Sequence, residues 1–265
     1  MALAALAAAT PVVEVHPVTG EQKLERALTE ITGRLTKTFD HRLVSLVLYG
    51  SAAWGEYDGD YSDLNILCIL TQVTPGELRD AEPVCHWWRE HGNPAPLLMS
   101  ETEVRSSTEC FPIEFHDMTE RRRVLAGRDI VPELVIDDSS YRAQIEYQLR
   151  SKLLRLRQKA AGLLSDKDLL RRLLADSVST FCVLIRHALR LAGHPSRWQK
   201  REIVDEAMRK FQIDPKPFLT LIAIREGKIR PGEVDPVPLL EAYLAQIGTV
   251  IEKVDQYGKQ RTGEL

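Results

Sequence analysis

Residues 43–70 read LVSLVLYGSAAWGEYDGDYSDLNILCIL, and the fold turns on them. Two apolar runs of strand length, 43–49 and 64–70, flank a polar connection rich in glycine and acid. The first run ends at Gly50-Ser51. A glycine at a strand exit lets backbone N–H groups approach a phosphate closely, and the adjacent serine can donate its hydroxyl to the same anion. The second run opens with Ser62-Asp63-Leu64-Asn65. Asp63 and Asn65 are two apart on an extended chain and point to one face, while Leu64, Ile66 and Cys68 point to the other. A carboxylate there can hold Mg2+ above the phosphate cradle. Asp60, Ser62 and Asp63 also read as turn formers ahead of a strand. The two flanking strands and a leading helix are the context that favours a site.

The surrounding pattern is mixed α and β up to about residue 138. Leu24, Leu28, Ile31, Leu35 and Phe39 make the apolar stripe of a helix over 21–39. Thr74, Pro75 and Glu77 read as an N-cap, a first-turn proline and a capping-box acid, opening a helix through 86–88 that Pro83 should bend. Further strands are expected at 96–99 and 111–117, with a short acidic helix between them. In the second half the apolar periodicity is helical throughout. It runs from Ile145 to Leu163, from Leu169 to Ala192, and through 197–211, 218–225 and 239–257, with Ser196, Asp214-Pro215 and Pro238 as start signals. The expected class is α+β: a small mixed-sheet domain over 21–138, then an all-α bundle over 139–258, with weakly ordered tails at 1–20 and 259–265.

With Gly50-Ser51 followed after eleven residues by Asp63-Leu64-Asn65, the chain resembles the nucleotidyltransferase superfamily with the DNA polymerase β-like fold. Its pattern is Gly-Ser, about ten residues, then Asp-x-Asp or Asp-x-Glu. The small mixed domain followed by a helical bundle looks like the aminoglycoside nucleotidyltransferase branch and its uncharacterised bacterial relatives. The motif resemblance covers about residues 24–137; beyond Ser139 it rests on architecture. It implies transfer of a nucleoside monophosphate from an NTP, ATP foremost, to a hydroxyl acceptor on a small molecule or a protein, with Mg2+ as cofactor.

Carried over residue by residue, the resemblance makes Gly50 and Ser51 the phosphate-binding pair and Asp63 the first metal acid. Asn65 stands at the second metal position. Glu114 is the best match to the third acid, which holds metal and acts as base toward the acceptor, with Asp117 and Glu101 as competitors. His116 is expected on the same strand face as Glu114. Asn65 departs from the pattern: an amide oxygen is a weaker ligand than a carboxylate for a hard cation and removes one negative charge. It opens three readings: a slow transferase, an enzyme recruiting Asp58, Asp60 or another acid, or a nucleotide-binding or partner-binding module without turnover.

The composition fits these expectations and narrows the alternatives. The chain has 265 residues, 44% hydrophobic and 28% charged, enough to bury one large or two ordinary cores. Cys68, Cys85, Cys110 and Cys182 form no Cys-x-x-Cys pair, which argues against a zinc ribbon or redox dithiol and makes the cytosol the default compartment. No run of 18 apolar residues is present, so no membrane partner is expected. The opening MALAALAAATPVVEV lacks the basic start of a signal segment. Net charge is −3, yet residues 141–201 carry 14 Lys and Arg against 4 acids. That basic stretch reads as a wall for the triphosphate, with Arg150, Lys152 and Arg186 preferred, or as a solvated helix face. Nucleic acid is the weaker partner reading.

Overall fold

The structure, a computed structural model, describes residues 20–54 and 64–262. The chain divides into two compact units. The first holds the described residues up to Leu98 with Arg123–Arg128; the second holds Met99–Arg122 with the described residues from Asp129 onward. The segment 99–122, which the sequence places in an N-terminal domain ending at 138, thus packs with the second unit. The tail at 1–19, Asp58, Asp60 and Asp63 lie outside the described residues.

In the first unit, helix α1 (Gly20–Phe39) leads into strand β1 (Leu43–Tyr49), β2 (Asn65–Leu70), helix α2 (Pro75–Glu90), β3 (Leu97–Ser100, its last two residues counted with the second unit) and, later in the chain, β4 (Arg123–Gly127). The sheet order is β3-β2-β1-β4, with β1 antiparallel to both β2 and β4. The stripe Leu24, Leu28, Ile31, Leu35, Phe39 is buried against Leu46 and Leu48 of β1, Ile66, Cys68 and Leu70 of β2, and Ala81, Val84 and Trp88 of α2. Each such side chain taken from water stabilises the unit by about 1.5–3 kcal/mol, which holds a helix whose remaining faces are polar. Val47, Leu67 and Ile69 are buried as well, which explains why the central strands read as unbroken apolar runs.

The start of α2 is as the sequence predicts. The Thr74 side chain accepts from Gly76 N–H, and Glu77 accepts from the Thr74 N–H and hydroxyl. The helix runs through Pro83 to Glu90. At the far edge, Gly127 has φ +75°, and a Cβ there would fall 2.2 Å from the Val44 carbonyl oxygen. Only glycine lets β4 approach β1 this closely at the Ser45–Gly127 pair, one pair before the β1–β4 register shifts between Leu46 and Val47.

In the second unit, α3 (Glu101–Ser106) and α4 (Pro112–Glu120) precede α5 (Tyr141–Ala161), α6 (Lys167–Leu191), α7 (Lys200–Phe211), α8 (Lys216–Arg225) and α9 (Pro236–Thr262). Helix α6 is the central member and packs on α5, α7, α8 and α9. Its core includes Phe181, met edge-on by Tyr243, which in turn meets Phe218. No described helix is long and apolar enough to cross a membrane.

One predicted element is corrected. Residues 111–117, expected as a strand, open α4. Phe111, Ile113 and Phe115 alternate, but Pro112 occupies the first helical turn, and Pro112, Ile113, Phe115, His116 and Met118 are the buried set. That set follows the three-to-four-residue repeat of a helix. Residues two apart on a helix point about 200° apart, so Glu114 is exposed while His116 is 5% exposed. The strand that follows is instead β4, which the sequence pattern does not single out.

Candidate functional site

Tyr49 pairs with Asn65 at the end of the β1–β2 ladder, so Gly50 and Asn65 are placed side by side by strand register. Gly50 has φ +77°, a left-handed conformation that L residues rarely adopt. The chain then turns through Ser51–Trp54, closed by the Ala53 N–H donating to the Gly50 carbonyl at 3.1 Å. A Cβ on Gly50 would lie 3.1 Å from Asn65 Nδ2. The glycine therefore supplies both the turn and the room for the amide. Leu64, Ile66 and Cys68 belong to the α1–α2 core, so by alternation Asn65 is on the opposite face, as the sequence predicts. The Leu64 N–H donates to Asn93 Oδ1 at 3.3 Å, fixing the backbone just ahead of β2.

Whether this corner fits two Mg2+ ions is a question about its donors. Asn65 contributes a neutral amide where the resemblance calls for a carboxylate. No group of three or more His, Cys, Asp or Glu among the described residues could hold a metal ion. The described residues do not by themselves furnish a two-ion site.

The three acids offered for the third position separate clearly. Glu101 opens α3 and is paired with Arg105 at 3.0 Å. Both oxygens of Asp117 are engaged, Oδ2 by Arg186 Nη2 at 2.5 Å and Oδ1 by His187 Nε2 at 3.0 Å. Glu114 is exposed on α4 and makes no ion pair among the described residues. It belongs to the second unit, whereas Gly50 and Asn65 belong to the first.

Asp117 anchors a polar cluster inside the second unit that the sequence only hinted at, through Arg186-His187 on the otherwise apolar α6. Tyr141 Oη lies 2.7 Å from His187 Nδ1. The tautomer that satisfies both contacts has its proton on Nε2, donating to Asp117, while Nδ1 accepts from the tyrosine hydroxyl. Burial would raise the Asp117 carboxyl, but the hydrogen bond from His187 and the charge and hydrogen bond of Arg186 hold it below the usual range. Burial pushes the Tyr141 phenol up. Next to it, His116 pairs with Asp138 at 2.5 Å and packs edge-on against the Tyr141 ring. The Arg186 guanidinium also lies 3.8 Å from the Trp198 ring centre, with Arg121 4.5 Å from the same ring. With His116, Tyr141, Arg186 and His187 all at most 5% exposed, the cluster locks α4 onto α5 and α6. His116 thus serves packing in this unit, not the strand face on which the sequence placed it.

The basic residues also sort themselves. Arg186 is 4% exposed and neutralised by Asp117, so its charge is used internally. Arg150 is exposed and pairs with Glu146, which Arg142 shares; Lys152 is exposed on the same helix. Three more residues of the positive stretch 141–201 find partners outside it, Lys167 at Asp235, Arg190 at Glu120 and Arg201 at Glu226.

No protein-family model matches the chain, and no curated protein matches it. Among solved structures, it is similar to spectinomycin adenyltransferase AAD(9) from Enterococcus faecialis, crystallised with ATP and spectinomycin. The TM-score is 0.59 at 11% sequence identity, over 87% of this chain and 99% of that one. At that identity the likeness is one of fold: this protein shares its α+β fold with that adenyltransferase.

Proposed function

We propose that this protein is a nucleotidyltransferase that binds an NTP, ATP foremost, and transfers its nucleoside monophosphate to a hydroxyl-bearing acceptor on a small molecule or a protein. The observation that carries the reading is the corner of the sheet. A glycine at φ +77° ends β1, and the second position of the Asp-x-Asn motif stands directly beside it. The fold shared with an enzyme crystallised with ATP and spectinomycin supports the same reading.

In this reading the Gly50–Ser51 turn receives the triphosphate, and Asp63 accepts the Mg2+ that accompanies it. The ion's contribution would be to neutralise phosphate charge. With an amide at position 65, one ion brought by the nucleotide suits the donor set better than two. The acceptor oxygen attacks the α-phosphorus in line, pyrophosphate leaves, and the acceptor proton passes to a carboxylate. Incubation with α-32P-labelled NTPs, Mg2+ and a panel of hydroxyl acceptors, the protein itself included, tests the reading. Labelled product and pyrophosphate should form, and Asp63→Ala should abolish both. Product formation that survives Asp63→Ala would refute the assignment.

Asn65 itself favours a second reading, a module that binds nucleotide or a partner without turnover. It predicts nucleotide binding with no pyrophosphate released. Asn65→Asp then decides between the two: a large gain in turnover marks the natural protein as impaired, and no gain marks another carboxylate as already sufficient.

A further inference from the structure

Resting on the nucleotide-binding reading above, we infer that Asn65 is a phosphate-binding donor and not a metal ligand, so that this protein holds the triphosphate of its nucleotide largely without a divalent cation. The geometry makes the case in three steps. First, register fixes Asn65 beside the turn: Tyr49 is its partner across the ladder, and Gly50 is the next residue. Second, the Nδ2 end of the amide is the group pressed toward the glycine, 3.1 Å from where a Cβ would stand, with Cγ at 3.9 Å. Third, Asn65 is half-buried and its amide makes no hydrogen bond among the described residues, so none of these consumes its two N–H donors. An NH2 group beside a glycine turn offers an oxyanion what a backbone N–H offers, with no charge to be neutralised first.

The contrast with a carboxylate is electrostatic. An aspartate at position 65, two residues from Asp63, would place a second negative charge against a triphosphate and would repel it until a cation intervened. The amide removes that repulsion and replaces it with attraction. The substitution that weakens metal binding is therefore the same one that makes the cation less necessary for holding the nucleotide. Rotation about the terminal side-chain torsion exchanges the amide's two ends at little cost, so NH2 is available to an anion whichever end faces the turn at rest.

The test is calorimetric titration of the full chain with α,β-methylene-ATP, in excess Mg2+ and in EDTA. It uses the natural protein, Asn65→Asp and Asn65→Leu, each shown to be folded by circular dichroism and thermal unfolding. The natural protein should lose less than about tenfold in affinity when Mg2+ is removed. Asn65→Asp should bind well in Mg2+ and at least about tenfold more weakly than the natural protein in EDTA, the scale of a charge-assisted hydrogen bond lost. Asn65→Leu should bind about tenfold more weakly in both conditions. Equal binding by Asn65→Asp and the natural protein in EDTA overturns the donor role, as does unchanged binding by Asn65→Leu. If the natural protein binds in Mg2+ but not in EDTA, the donor role fails and the nucleotide site stands. If it binds in neither, the nucleotide site itself fails.

Discussion

His187 Nε2 lies 3.0 Å from Asp117 Oδ1, and this contact ties α4, a helix that leaves the sheet after β3 and returns to it at β4, to the central helix of the bundle. The second oxygen of the same carboxylate takes Arg186, whose side chain is 5% exposed. Removing the carboxylate would leave a guanidinium buried without its partner. Asp117→Ala should therefore cost about 3–5 kcal/mol of unfolding free energy, read by urea denaturation. The double variant Asp117→Leu with Arg186→Met, which replaces the pair by apolar groups of similar size, should recover most of that loss.

Tyr141→Phe isolates the other side of the imidazole. It keeps the ring contacts and removes only the hydroxyl that serves His187 Nδ1. A buried acceptor without a donor costs about 1–3 kcal/mol, so the urea midpoint should fall accordingly with an unchanged slope. In the natural protein, the nitrogen shifts of His187 should show the tautomer protonated at Nε2.

Two glycines with nearly the same φ should respond differently to alanine. At Gly127 the new Cβ meets the Val44 carbonyl oxygen at 2.2 Å and Ser45 Cα at 2.9 Å, both backbone atoms that the strand pairing holds in place. Gly127→Ala should break the β1–β4 pairing and lower stability by more than the about 1–2 kcal/mol of left-handed strain alone. At Gly50 the Cβ meets the end of a side chain that can swing away. Gly50→Ala should cost stability close to the strain term, about 1–2 kcal/mol, while weakening nucleotide binding more than Gly127→Ala does. Thermal unfolding and titration with α,β-methylene-ATP, run on both variants, separate the two effects.

Acid should loosen the protein through a few particular carboxylates. The hydrogen bond from Thr74, with the Thr74 backbone N–H and Arg42 adding to it against burial, holds Glu77 at about 2; Arg201 and Lys228 hold Glu226 at about 2. Both lie below the ordinary glutamate value of 4.5. For such groups the folded state binds protons less readily than the unfolded chain. Their stabilisation is therefore complete above about pH 4.5 and is lost as pH falls toward 2. Asp117 is shifted in the same direction. Melting temperatures from pH 6 to 2 should fall along this limb, and Glu77→Gln should make the fall shallower.

How much of this was legible beforehand depended on the range of the interaction. The stripe of α1, the cap at Thr74 and the two apolar runs around Gly50 are written in neighbouring residues, and the structure has them nearly to the residue. The segment 111–117 reads as a strand because five residues of alternation fit one as well as a helix, and its helical face is defined only by which of its side chains tertiary packing buries, Ile113, Phe115 and Met118 among them. β4 escaped notice because a five-residue strand beginning at an arginine carries little apolar signal. Its place is set by the partner strand β1 and by Arg123 pairing with Glu25 of α1, 98 positions away.

The sequence alone determined the class of the fold, the position of the glycine turn and the amide that stands where a metal acid is expected, because each rests on local pattern or on the identity of a single side chain. The tertiary structure decided which charges remain for chemistry. Arg186, prominent in a basic stretch, proves to be spent on Asp117, and of the three acids considered Glu114 alone has no ion pair among the described residues. Charge pairing depends on separations of a few ångströms between residues scores of positions apart, and no pattern along the chain encodes those separations.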